Sequence, residues 1–133
     1  MTYFDTSVLV GVLLQSHPNH KECFAVFEQT RERMTSGHAL AEVFSTLTAF
    51  YKVPNDVVAE LTLGLPERLE VEPLSLRDYE TAIAEARQRG VMGGGIYDSL
   101  HATYARHRSA RRVITRNPGN FQHVAPDLEI IVP

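Results

Sequence analysis

The chain has 133 residues, the length of one domain, and its 44% hydrophobic and 22% charged residues are those of an ordinary globular protein. Its net charge of −3 excludes a protein that holds nucleic acid through bulk positive charge, so any such contact must be local or assisted by cations. The single cysteine, Cys23, excludes an internal disulfide and a cysteine-rich zinc site.

The first seven residues, Met1-Thr2-Tyr3-Phe4-Asp5-Thr6-Ser7, read as a short strand, an acidic tip and the start of a helix. In an open α/β sheet, ligands bind at the carboxyl ends of strands, so Asp5 is expected to face a site. The longest apolar run, Val8 to Leu14, suits a short buried helix and falls far short of the roughly 20 residues of a membrane span. No basic segment followed by an apolar one opens the chain, so a cytoplasmic protein is expected. His17-Pro18-Asn19-His20 breaks the pattern, and the two histidines read as solvated turn residues. A helix then runs to about Arg33, with Cys23 as a buried small hydrophobe beside Phe24 and Phe27.

Met34-Thr35-Ser36 is a short strand, and a helix follows from about Ala39 to Tyr51. Its stripe of Leu40, Val43, Phe44, Leu47 and Tyr51 has helical spacing. Glu42 falls off that stripe, either on a solvated face or pointing back over the sheet edge toward Asp5. A second amphipathic helix covers Pro54 to Leu65, with Val57, Val58, Leu61 and Leu65 inward and Asn55 as its cap. Leu69 to Pro73 alternates with period two and reads as a strand. Ser75-x-x-Asp78 is a capping-box start for a helix to Arg89, with Leu76, Tyr79, Ile83 and Ala86 inward and Gly90 ending it.

Gly93-Gly94-Gly95 lacks the companions of a phosphate loop and reads as a hinge before a helix from about Tyr97 to His107. Asp98, in its first turn, suits the helix dipole, and His101 reads as a packing or surface histidine. The basic stretch Arg106 to Arg112 reads as a charge complement to the helix end, with a phosphate contact or a dimer edge as the alternative. Val113-Ile114-Thr115 and Leu128 to Val132 complete five strands, with the polar turn Arg116 to Phe121 between them. Strands that alternate with helices give a parallel sheet covered on both faces.

Asp5, Glu42 and Asp98 thus occupy comparable places near one sheet edge. Each has an ordinary explanation alone. Together they would repel one another unless a hard cation sat among them, and Mg²⁺ prefers such oxygen ligands.

Four segments in order carry a family likeness: Phe4-Asp5-Thr6-Ser7, Ala41-Glu42-Val43, Ile96-Tyr97-Asp98-Ser99-Leu100-His101-Ala102, and Ile114-Thr115-Arg116-Asn117 with Phe121. The chain resembles PIN-domain proteins, and among them the VapC ribonuclease toxins of toxin–antitoxin modules. The resemblance covers essentially the whole chain and implies a single domain over residues 1–133 with a three-layer α/β/α fold around a parallel sheet of four to five strands. It implies endonucleolytic RNA cleavage by a water that Mg²⁺, or Mn²⁺ as a substitute, activates. Asp5, Glu42 and Asp98 would be the catalytic metal ligands, with Thr6, Ser7, Thr115 and Asn117 as polar support. It also implies a homodimer and a VapB-like antitoxin.

Many family members carry a fourth acid just after the threonine of the fourth strand, where this chain has Asn117 and Asn120. That departure gives the alternative reading, a catalytically silent PIN fold that binds RNA or protein. An aspartyl phosphatase is disfavoured, because Ser7 stands where that chemistry needs a second aspartate.

Overall fold

Tyr3 and Phe4 are neighbours in sequence and lie in different cores. Successive side chains of a strand point to opposite faces, so one dipeptide can hold both sides of a sheet. The computed structural model describes residues 1–133. β1 (Thr2–Phe4) is fully buried and lies at the centre of a five-stranded sheet of order β3-β2-β1-β4-β5. Its partners are β2 (Arg33–Ser36), β3 (Glu70–Glu72), β4 (Arg112–Ile114) and β5 (Glu129–Ile131), and every pairing is parallel.

One face is covered by α1 (Thr6–Leu13), α2 (His20–Gln29), α3 (Gly37–Ser45) and α4 (Asn55–Leu63). Phe4, Val8, Leu9, Phe27, Val43 and Leu47 fill the core there, and Phe4 meets Phe27 edge-on at 5.1 Å between ring centroids. The other face carries α5 (Leu76–Glu85), α6 (Gly95–His107) and α7 (Pro118–Gln122), with Tyr3, Met34, Val113, Tyr104 and Phe121 between the layers. This is the expected three-layer α/β/α fold.

Several element ends follow directly from the residues. Ser36 caps α3 by accepting the Ala39 N–H. Ser75 and Asp78 form the reciprocal capping box expected for α5. Gly90 takes φ 66°, the left-handed region where a side chain would be strained.

Other expectations are corrected. Asn55 does not cap α4, whose cap position is Pro54. The third helix does not run regularly to Tyr51, because Thr46–Phe50 forms a π-turn. Val57 is exposed, as are Phe24 and Phe44. The largest departure is α5, where Leu76 is 73% and Ile83 66% exposed, and Tyr79 also faces outward. The inward face is set instead by Asp78 and Ala82. Asp78 is fully buried because His107 and Arg108 of the α6 end reach it, at 2.6 Å and 3.2 Å. A paired buried carboxylate turns the helix against its own apolar stripe.

The basic stretch at the end of α6 is consumed internally. Arg106 pairs with Asp127, Arg108 with Glu72 and Asp78, and Arg112 with Glu129. These pairings favour the charge-complement reading of this stretch over a phosphate contact or a dimer edge.

Helices α1 and α2 cross where Gly11 meets the buried Cys23. A Cβ on Gly11 would lie 2.6 Å from Cys23 Sγ. Gly11→Ala is therefore expected to destabilise the fold by about 1–3 kcal/mol through overpacking. The cost should shrink in a Cys23→Ala background, which removes the sulfur. Thermal melts of the two single variants and the double variant measure the coupling.

Candidate active site

The carboxyl ends of β1, β2 and β4 open onto a cavity of about 510 Å³ lined by Asp5, Glu42 and Asp98. A cleft of about 640 Å³ lies elsewhere, among Arg31, Arg33, Arg68, Glu32, Glu67 and Glu70. Its charges alternate in sign, and Arg33 and Arg68 are drawn to Glu28. The smaller cavity lies at the ligand-binding edge of the sheet and gathers three carboxylates.

Asp5 directly follows β1, and its N–H is fixed by the Ile114 carbonyl at 3.0 Å. Its carboxylate is held on one side. Ser7 Oγ donates to Oδ2 at 2.7 Å, and Thr115 Oγ1 donates to the same oxygen at 2.8 Å. The Arg116 N–H donates to Ser7 Oγ and the Asn117 N–H to Thr115 Oγ1, which fixes both hydroxyls. Oδ1 has no hydrogen bond within the protein.

Glu42 sits in the second turn of α3, off the apolar stripe as the spacing suggested. Its Oε1 accepts from Thr6 Oγ1 at 3.3 Å and from His101 Nε2 at 2.5 Å, with His38 Nε2 at 3.7 Å. Oε2 is free of protein partners. Asp98, in the first turn of α6, has no hydrogen-bond partner for either carboxylate oxygen, and the cap position of that helix is Gly94.

His101 is the residue that sequence reasoning undervalued. It is 3% exposed and joins Glu42 to the centre of the fold. Its Nδ1 meets the buried Tyr3 hydroxyl, which in turn lies 3.2 Å from Ser36 Oγ. The i, i+3 spacing of Asp98 and His101 was the available signal, because it places both on one face of α6. His17 lies in a turn as expected, where it also lines this cavity and accepts the Asn19 N–H on Nδ1 at 3.0 Å.

The electrostatics follow from this crowding. Burial pushes the Asp98 carboxyl above its ordinary value, and the charges of Asp5 and Glu42 push it further. Burial opposes charge on His101, yet its hydrogen bond to Glu42 and the charges of Glu42, Asp5 and Asp98 hold it above the usual histidine range. Burial likewise pulls Glu42 up, but the His101 hydrogen bond and the charges of His101 and His38 bring it below the usual carboxylate range. Three carboxylates against the one guanidinium of Arg116 leave the cavity wall net negative, which suits a cation.

The donor set fits such a cation. Two carboxylates each have one oxygen clamped and one open, the arrangement outer hydrogen bonds give to metal-ligating acids. The three acids share the cavity, but no three His, Cys, Asp or Glu side chains are gathered closely enough to hold a metal ion as they stand. Asn117 and Asn120 also line it, so neutral amides stand where a fourth acid was absent from the sequence.

The family model described as the PIN domain matches residues 2–126. The chain belongs to the PIN domain family. Ribonuclease VapC27 of Mycobacterium tuberculosis (strain ATCC 25618 / H37Rv) is 36% identical to this PIN domain over 110 residues, 79% of this chain and 77% of the relative. Among solved structures, Mycobacterium tuberculosis VapC20, a sarcin–ricin loop cleaving toxin, superimposes with a TM-score of 0.72 at 15% identity. That match covers 85% of this chain and 87% of VapC20. VapBC2 of Rickettsia felis, bound to a DNA fragment from its promoter, also gives 0.72, at 20% identity over 100% of this chain and 99% of its own. At these identities the solved structures speak to the fold, which they share with this PIN domain. No helix of the chain is long and apolar enough to cross a membrane.

Proposed function

We propose that this VapC-type PIN domain is a divalent-metal-dependent endoribonuclease, the toxin of a toxin–antitoxin pair. The observation that carries the reading is the set of open carboxylate oxygens, Asp5 Oδ1, Glu42 Oε2 and both of Asp98, lining one cavity whose other carboxylate oxygens are clamped. The 36% identity to a ribonuclease supports RNA as the substrate.

Asp5, Glu42 and Asp98 would hold Mg²⁺, with Mn²⁺ as a substitute. Such an ion supplies Lewis-acid activation of water and positive charge beside a phosphate. Ser7 and Thr115 orient Asp5, while Thr6 and His101 orient Glu42. Arg116, on the cavity wall, offers a guanidinium to a phosphate oxygen, and Asn117 and Asn120 add neutral polar contacts. Hydrolysis then forms one bond from water oxygen to phosphorus and breaks one phosphorus–oxygen ester bond. A VapB-like antitoxin, in keeping with the similar VapBC2 complex, and a homodimer complete the reading.

The absence of a fourth acid favours a second reading, a silent PIN fold that binds RNA without cutting it. Chelation separates the two. Purified protein free of antitoxin should cut total cellular RNA into discrete fragments with Mg²⁺ or Mn²⁺. EDTA should abolish cutting, and excess metal should restore it. No fragments with either metal would favour the silent fold.

A further inference from the structure

Two aromatic pairs flank the acids, and the nuclease chemistry uses neither. The first is His17 with Tyr51, ring centroids 5.8 Å apart and tilted by 52°. Both line the acidic cavity, whose wall is otherwise polar apart from Val10. The second is His38 with Tyr97, centroids 6.2 Å apart and planes within 9° of parallel. Tyr97 is 54% exposed and immediately precedes Asp98.

The third helix sets the spacing. His38 lies four residues before Glu42, and Tyr51 nine residues after it. The two pairs therefore stand on opposite sides of Glu42 along the chain, with His38 Nε2 3.7 Å from Glu42 Oε1. The segment that presents Tyr51 is unusual. The π-turn Thr46–Phe50 closes with the Tyr51 N–H on the Thr46 carbonyl at 3.2 Å, and Lys52 follows at φ 58°. π-turns and left-handed non-glycine residues are costly and gather at functional sites. Here they hold Tyr51 with one side against the core and Phe50 and its ring beside His17 at the cavity wall.

We propose that the His17–Tyr51 and His38–Tyr97 pairs are stacking platforms for the bases of single-stranded RNA on either side of the phosphate to be cut. The inference deepens the ribonuclease reading and rests on it. Paired rings at and beside a polar cavity suit bases, each of which has a π-face, whereas a protein helix requires a continuous apolar groove. Stacking also suits an acidic chain, because it binds RNA without a basic surface.

The test measures binding apart from cleavage. Short single-stranded RNAs that carry a fluorescent 2-aminopurine base are titrated, without metal, into the Asp5→Asn protein. Tyr51→Leu and Tyr97→Leu should each weaken binding about tenfold or more and lose the stacking quench of the fluorophore, while Tyr→Phe at either place should retain both. In the Asp5 background with metal, the leucine variants should raise KM and leave kcat within about twofold. Scanning the RNA with abasic nucleotides should find one position whose loss mimics Tyr97→Leu and is not additive with it.

Leucine variants that bind RNA as tightly as their parents would overturn the proposal. So would a fall in kcat at constant KM, or a loss confined to antitoxin binding. Ring-dependent RNA binding by a protein that cuts nothing would leave the platforms standing and remove the nuclease reading.

Discussion

Replacing Asp5 by asparagine is expected to lower RNA cleavage by about a thousandfold or more while leaving the fold intact, since an acid that holds a catalytic cation contributes several kcal/mol. The substitution is nearly isosteric. The amide oxygen can keep both hydroxyl donors, Ser7 at 2.7 Å and Thr115 at 2.8 Å, because they meet the same oxygen. The NH₂ group then replaces the open Oδ1, so a donor enters the cavity where a cation needs an acceptor. Stability should hold or rise, because the charge on Asp5 is one cause of the raised Asp98 pKa. Fragment yields and thermal melts of the same preparations test both halves. Unchanged cleavage would point to a contaminating nuclease and remove Asp5 from the mechanism.

Asp78→Ala should cost about 3–5 kcal/mol, the usual consequence of removing one partner from a buried ionic cluster. Asp78 is fully buried and accepts from the Ser75 N–H at 2.7 Å, from His107 and from Arg108. Alanine leaves His107 without its carboxylate, reduces Arg108 to its contact with Glu72 and opens the cap of α5. For a chain of this length the melting temperature should fall by roughly 10–20 °C.

The same cluster predicts a pH dependence. Burial alone would raise the Asp78 pKa, but the Ser75 N–H and the contacts with His107 and Arg108 hold it below the ordinary value. A depressed carboxylate pKa contributes stability that is fully present above the unfolded pKa, near 4, and is lost as pH falls through the folded one. Urea denaturation at pH 7 and at pH 3 should therefore show a smaller acid-induced loss for Asp78→Ala than for the parent chain. An equal loss would mean that Asp78 is not ionised in the folded protein.

Much of the architecture is written in local pattern. Apolar strands that alternate with helical periodicity dictate a parallel sheet with two covered faces, and the central strand shows both faces in Tyr3 and Phe4. The capping box at Ser75 and the left-handed Gly90 follow from nearest neighbours alone. The acids were legible because two stand at element starts and Glu42 departs from an apolar stripe. Their shared cavity is a structural fact, while their catalytic roles are a proposal for the experiments above.

What sequence by itself determined was the layer order, the element types and the identity of the acids, since these depend on periodicity and short-range hydrogen bonding. What only tertiary structure decided were the pairings across long separations. His101 was ordinary on its helix until Glu42, 59 residues away, met it at 2.5 Å. The stripe on α5 read as inward until Asp78 found His107 and Arg108. In each case a contact between distant segments outweighed a local preference, because satisfying a buried charge or filling the space between packed elements is worth more than the fraction of a kcal/mol that a helical pattern contributes per residue.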